Sequence, residues 1–107
     1  MQRMGGVLRL KPEALETYTI AHAAVWPEVL SAIYAANIRN YSIYHKDGFL
    51  FSYFEYHGTN YALDSERMAT NPVVQKWWAI MEPLQDPLPS RQPGEWWAQM
   101  DEVFHVD

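Results

Sequence analysis

The sequence predicts an α+β sandwich, one antiparallel sheet with its helices on a single face, and three observations carry that prediction. Apolar residues recur at steps of three and four over two long stretches, the mark of helices that bury one face. Alternating, β-branched or aromatic runs flank those stretches, and between two of them lies Asp47-Gly48, the strongest hairpin signal in the chain. Read in order, the segments give β-α-β-β-α-β.

Residues 2 to about 10 form the first strand, with Met4, Leu8 and Leu10 on one side and Val7 and Arg9 on the other. Gly5 and Gly6 either weaken it or mark a close backbone approach. Pro12 at a first helical position and Glu13 in a first turn open a helix expected to run to about residue 36, with Asn37 as its stop. Leu15, Tyr18, His22, Val25, Trp26, Val29, Leu30 and Ile33 fall on one face of it. Pro27 removes a backbone donor and crowds the preceding turn. It implies either a kinked helix or an end near Val25 and a restart with Pro27 first and Glu28 in the new first turn.

The second and third strands are residues 38–45 and 49–56. With Asp47 and Gly48 as turn residues, Lys46 pairs with Phe49 and Tyr41 lies opposite Phe54. Tyr41, Ile43, His45, Leu50, Ser52, Phe54 and Tyr56 then share one face, and Ser42, Tyr44, Phe51, Tyr53 and Glu55 the other. A sheet with large aromatics on both sides needs cover on both. Helices of one 107-residue chain cover one, so a second subunit is expected on the other.

A short helix over residues 61–68 and another begun by Thr70-Asn71-Pro72 and running through Met81 complete the helical layer. Residues 83–94, with Pro83, Pro87, Pro89 and Pro93, read as a stiff extended connection reaching toward a partner subunit, and residues 96–106 as a final strand. The assembled order is that of a ferredoxin-like sandwich, with both helical segments on one face of the sheet.

At 107 residues, 49% apolar and 20% charged, the chain suits one globular domain over 1–107. An aromatic content of 15% either fills a core or forms a surface for flat or ring-shaped ligands. Net charge is -5 and the eight cationic residues are scattered, which argues against nucleic acid and against an anionic membrane surface. The absence of cysteine removes disulfides and a thiol nucleophile from consideration and fits a reducing compartment. The N-terminus reads as no signal peptide and no apolar run reaches a membrane span, so a soluble cytoplasmic protein is expected.

His22 is the residue that stands out. A titratable ring on an apolar helical face costs desolvation unless it finds a hydrogen bond, and such surroundings can tune an imidazole for proton transfer near neutral pH. The competing reading is a core histidine held by a backbone carbonyl. Tyr18 lies one helical turn earlier on the same face, near enough to share a ligand. Trp77 and Trp78 project about 100° apart, so either both border a groove or one is core. His45, His57 and His105 lack the spacing of a metal site, and neither a Gly-rich phosphate loop nor a Ser-His-Asp order is visible; no metal and no cofactor are expected.

The residues resemble the L-rhamnose mutarotases over essentially the whole length. The likeness is carried by Tyr18-x-x-x-His22-x-x-x-Trp26-Pro27-Glu28, Asn40-Tyr41-Ser42-Ile43, the Trp77-Trp78 pair and Glu102-Val103-Phe104-His105. The resemblance implies a small cytoplasmic homodimer with a dimeric α/β barrel that interconverts the α and β anomers of a 6-deoxy monosaccharide without metal or nucleotide. It also implies that His22 is the proton donor and that Tyr18, Tyr41, Trp77 and Trp78 contact the sugar. Residues 55–61 and the Trp96-Trp97 region depart from the Asn-Pro-Asp-rich C-terminal segment of the enterobacterial form, which bears on the identity of the sugar: L-rhamnose, or another such as L-fucose.

Two rivals accompany that reading. One is a different enzyme on the same barrel, such as a cofactor-free monooxygenase or a dehydratase. The other is a non-catalytic binding module, against which the Tyr18/His22 pairing argues, since stacking alone has no use for a titratable group.

Overall fold

The computed structural model describes residues 1–107. Its sheet consists of β1 (Gln2–Leu10), β2 (Ile38–Lys46), β3 (Phe49–Tyr56), β4 (Gln85–Asp86) and β5 (Ala98–Met100). All pairings are antiparallel, in the order β2-β3-β1-β4, with β5 also on β1. β4 and β5 share one edge of β1, β4 beside Arg9 and Leu10, β5 beside Gly5 to Val7. The helical segments are α1 (Leu15–His22), α2 (Pro27–Ala35), α3 (Tyr61–Ala69) and α4 (Pro72–Met81). This is the expected split βαβ order, with the first helical stretch divided in two and the two expected helices of the second present as α3 and α4.

Pro27 resolves as a restart. Helix α1 ends at His22, Trp26 takes extended ψ (137°), and α2 begins with Pro27 at its first position. A proline donates no backbone hydrogen bond, so a break that makes it the first residue removes the conflict a continuous helix would carry. The break also resets the phase of the apolar stripe. Tyr18 and Val29 are buried as expected, whereas Leu15 and Leu30, on the same face of an unbroken helix, are 41% and 53% exposed. Asn37 stops α2 in the left-handed region at φ 62°.

The hairpin register matches expectation from Lys46↔Phe49 to Ser42↔Tyr53. Beyond it lies a bulge, because Arg39 pairs with Glu55 and two residues, Asn40 and Tyr41, therefore face the single Phe54. Asn40 accepts the required φ of 51°, and its side-chain amide donates to Glu55 at 2.7 Å. The extra residue shifts the alternation by one, so Tyr41 and Ile38 both point to the helical side of the sheet and border the same cavity.

The core joins Leu8, Leu10 and Leu50 of the sheet to Ala14, Tyr18, Val29, Trp77 and Met81 of the helical layer. Across the sheet, Tyr44 (66% exposed), Phe49 and Phe51 have no cover.

Two expectations at the C-terminal end are corrected. The final strand is only Ala98–Met100, and residues 101–107 are exposed and without regular structure, apart from an Arg3–Glu102 ion pair at 2.9 Å. β1 itself continues three residues further, through Met4 to Gln2, but residues 101–103 make no ladder with it, and the Arg3–Glu102 ion pair is what links the tail to β1 there. The proline-rich segment is no straight spacer either: turn hydrogen bonds from Arg91 N to Leu88 O and from Glu95 N to Gln92 O fold it back onto its own chain. Gly94 at φ 85° supplies one reversal. The segment forms an arm that leaves β1 at β4 and returns to it at β5.

Candidate active site

Between the helical layer, the sheet and this arm lies a cavity of about 540 Å³. All five residues singled out in the sequence border it: Tyr18 and His22 from α1, Tyr41 from β2, Trp77 and Trp78 from α4. Local rules explain each placement. Tyr18 and His22 are one turn apart, so their rings stack with centroids 4.1 Å apart and planes 29° apart. Trp77 meets the edge of His22 at 5.4 Å and Trp26 at 5.2 Å, holding the last turn of α1 against α4. Of the two tryptophans, Trp77 is a core residue with an edge on the cavity, and Trp78 is the more open, 36% exposed. Helix α4 is fixed in place by Asn71, whose side-chain oxygen accepts from the backbone N–H of Val73 and Val74.

His22 combines the two readings offered by the sequence. Its Nδ1 lies 2.9 Å from the carbonyl oxygen of Tyr18. A carbonyl only accepts, so Nδ1 carries hydrogen and donates, and Nε2 is the nitrogen left for a ligand. The backbone bond that a purely structural histidine would make here fixes the tautomer of one beside a cavity.

The phenols are set by burial. The hydroxyl end of Tyr41 is desolvated, although the residue as a whole is 38% exposed, and burial together with the neighbouring Tyr18 and Tyr61 phenols pushes its pKa far above the ordinary tyrosine value. Burial raises Tyr18 also, partly offset by a hydrogen bond from Gln85. Both are neutral hydroxyls at physiological pH. A phenol so placed is suited to hydrogen bonding and is a poor base.

The sequence reading missed Gln85 and did not use Trp96. Gln85, 7% exposed, donates through Nε2 to the Tyr18 hydroxyl at 3.4 Å and accepts through Oε1 from the Trp96 indole N–H at 2.8 Å. The only sequence signal was a polar pair, Gln85-Asp86, between two prolines. Ser52, Tyr61 and Gln99 also border the cavity. Gly6 adjoins three residues of its border: an added Cβ would stand 2.9 Å from Ser52 Oγ and within 4 Å of Trp97 and Gln99. Of the other histidines, His45 borders a separate hollow of about 330 Å³ near the hairpin turn, and His57 and His105 sit beside carboxylates, at Glu55 and Asp107.

The cavity is bordered by aromatic rings and methionines, by neutral hydroxyls and amides, and by two carboxylates, Glu82 and Glu95; no lysine or arginine borders it. Such a lining suits an uncharged polyol with one apolar face, and it offers nothing to balance a phosphate.

Comparison with known proteins agrees. Residues 3–106 match the sequence model of the L-rhamnose mutarotases. The L-rhamnose mutarotase of Lactiplantibacillus plantarum is 36% identical over 109 aligned positions covering 100% of both chains. Among solved structures, the L-rhamnose mutarotase of Formosa agariphila superposes with a TM-score of 0.79 at 23% identity, covering 100% of both chains. The tetracenomycin F2 cyclase of Streptomyces glaucescens, a polyketide cyclase, shares the fold at a TM-score of 0.70 and 12% identity over 100% of this chain and 98% of its own. That second likeness is one of fold alone, and the sequence matches make the choice within it: this chain belongs to the L-rhamnose mutarotase family.

Proposed function

We propose that residues 1–107 form one mutarotase domain that interconverts the α and β anomers of L-rhamnose, with His22 as its acid-base group. The observation that carries the reading is the His22 ring, with Nδ1 held by the Tyr18 carbonyl and Nε2 free, at a cavity bordered by Tyr18, Tyr41, Trp77 and Trp78.

Mutarotation opens the pyranose to the aldehyde and closes it on the other face of C1. The anomeric oxygen and the ring oxygen are both bonded to C1, so one nitrogen set against that edge of the sugar serves both. Neutral His22 takes the anomeric hydroxyl proton on Nε2. The imidazolium then gives that proton to the ring oxygen as its bond to C1 breaks, leaving an aldehyde and a C5 hydroxyl. After rotation about C1–C2 the C5 hydroxyl attacks the opposite face, its proton passes to Nε2, and Nε2 returns it to the new anomeric oxygen. Proton transfer of this kind is worth about 10²–10⁴-fold in rate. The neutral phenols of Tyr18 and Tyr41 hydrogen-bond sugar oxygens, and the Trp77 and Trp78 rings supply apolar contact for the C–H face and for the methyl group of a 6-deoxy sugar.

The finer assignments rest on the same features. A homodimer is proposed because Tyr44, Phe49 and Phe51 leave an apolar sheet face open and Val103, Phe104 and Val106 extend from the chain uncovered. A cytoplasmic location accords with the absence of cysteine, and no helix is long and apolar enough to cross a membrane.

The test is exchange NMR on equilibrated L-rhamnose, with L-fucose in parallel. Faster transfer of saturation between the α and β signals when the protein is added is expected for L-rhamnose. No acceleration of either sugar by folded protein would refute the reading.

A further inference from the structure

We infer that Gln85 and Trp96 are positioning residues that hold the Tyr18 hydroxyl as a hydrogen-bond donor aimed at the substrate.

The argument turns on direction. An indole N–H only donates, and the Trp96 Nε1–H lies 2.8 Å from Gln85, so the atom it meets is the amide oxygen. That contact fixes the amide one way round and turns its N–H toward Tyr18, 3.4 Å from the phenol oxygen. Gln85 is buried, so no bulk solvent competes for either end of the amide. With a donor already on its oxygen, Tyr18 has no acceptor in Gln85, and its own hydrogen is left for the cavity that its ring borders. The fall in the Tyr18 pKa that Gln85 causes against the rise from burial is what donation to the phenol oxygen produces.

The inference deepens the mutarotase reading and rests on it. In the reaction above, the anomeric oxygen gains negative charge as its proton leaves. A hydroxyl already oriented to donate stabilises that charge without reorganising at the moment of reaction. Gln85 is on β4 and Trp96 follows the proline-rich arm, eleven residues later, so the fold of the arm sets the polarity of a group in the site.

The experiment compares Gln85→Glu, Gln85→Leu and Trp96→Phe with the natural chain in the anomer-exchange assay from about pH 8 down to about pH 5. An ionised carboxylate at this position accepts from both Trp96 and Tyr18, which turns the Tyr18 hydrogen away from the substrate. Gln85→Glu should then lose about tenfold in kcat/KM at the upper end, the effect of one misdirected hydrogen bond. Protonated, the same group donates to Tyr18 and accepts from Trp96 as the amide does, so the loss should shrink as pH falls; burial disfavours the charged form and moves that titration upward, toward the accessible range. The groups already around the cavity, His22, Tyr41, Tyr61, Glu82 and Glu95, are common to all the proteins, so the ratio of variant to natural chain isolates the new carboxylate. Gln85→Leu should show a loss that does not change with pH relative to the natural chain. Trp96→Phe keeps a ring and frees the amide to turn over, and should lower kcat about threefold with KM nearly unchanged, an effect of part of one hydrogen bond.

A Gln85→Glu ratio flat across the pH range would overturn the inference while leaving the mutarotase reading intact, as would an unchanged kcat in Trp96→Phe should Gln85→Glu fail to fold. A natural chain that fails to accelerate exchange overturns the mutarotase reading, and the role assigned to Gln85 and Trp96 falls with it.

Discussion

Replacing His22 by phenylalanine removes the proposed proton carrier and leaves most of its packing. The phenyl ring keeps the 4.1 Å stack on Tyr18 and the 5.4 Å edge contact with Trp77, and loses Nε2 and the Nδ1 bond to the Tyr18 carbonyl. That bond is worth about 0.5–1.5 kcal/mol, and extra apolar burial offsets part of it, so stability should stay within about 1 kcal/mol. Activity should fall by about 10²–10⁴, a rise of about 3–5 kcal/mol in the barrier. Saturation-transfer rates on L-rhamnose give the first quantity and a thermal melt the second. The contrast with His22→Ala sharpens the test: alanine also forfeits both ring contacts and should cost about 1–3 kcal/mol in stability, yet lose no more activity than phenylalanine. A His22→Phe protein within about tenfold of the natural rate would refute the assignment, because a lost proton relay is worth at least about a hundredfold.

Tyr41→Phe should lower kcat/KM for L-rhamnose by about tenfold, the effect of one hydrogen bond to substrate, and a loss larger than His22→Phe would show that the roles are exchanged. Burial raises the Tyr18, Tyr41 and Tyr61 phenols, so the folded chain retains protons that the unfolded chain releases near about pH 10. Their contribution is therefore complete below about pH 10 and is lost as pH rises beyond it; melting temperatures should drop there, less steeply in Tyr41→Phe, and identical slopes would contradict the burial of that hydroxyl. Asn71→Ala removes the acceptor for two N–H groups at the start of α4 and should cost about 1 kcal/mol, read as a lower urea midpoint at unchanged slope. Phe51→Glu places a charge on the open sheet face and should convert a dimer to a monomer in light scattering; an unchanged mass would place the interface elsewhere.

Features written in short stretches were legible before the structure. The hairpin register up to Ser42 follows from Asp47-Gly48, the end of α2 from Asn37, and the meeting of Tyr18 with His22 from a spacing of four. Tyr41, Trp77 and Trp78 were named through family likeness, and the cavity borders all three. What escaped depends on partners distant in sequence. The bulge at Asn40 is a competition between two registers that the hairpin turn does not decide. The return of the proline-rich arm depends on the edge that β1 offers, which β4 and β5 share. Gln85 becomes a site residue only because Tyr18, 67 positions earlier, and Trp96, 11 later, reach it from opposite sides.

By itself the sequence determined the order of elements, the polarity of each face and the presence of one titratable ring on an apolar helix, because propensity, turn chemistry and side-chain periodicity act over a few residues. The tertiary structure decided which nitrogen of His22 is free, which hydroxyl donates and how the arm closes over the cavity. Those are properties of hydrogen-bond direction and burial, and they arise only once segments far apart in the chain are packed against one another.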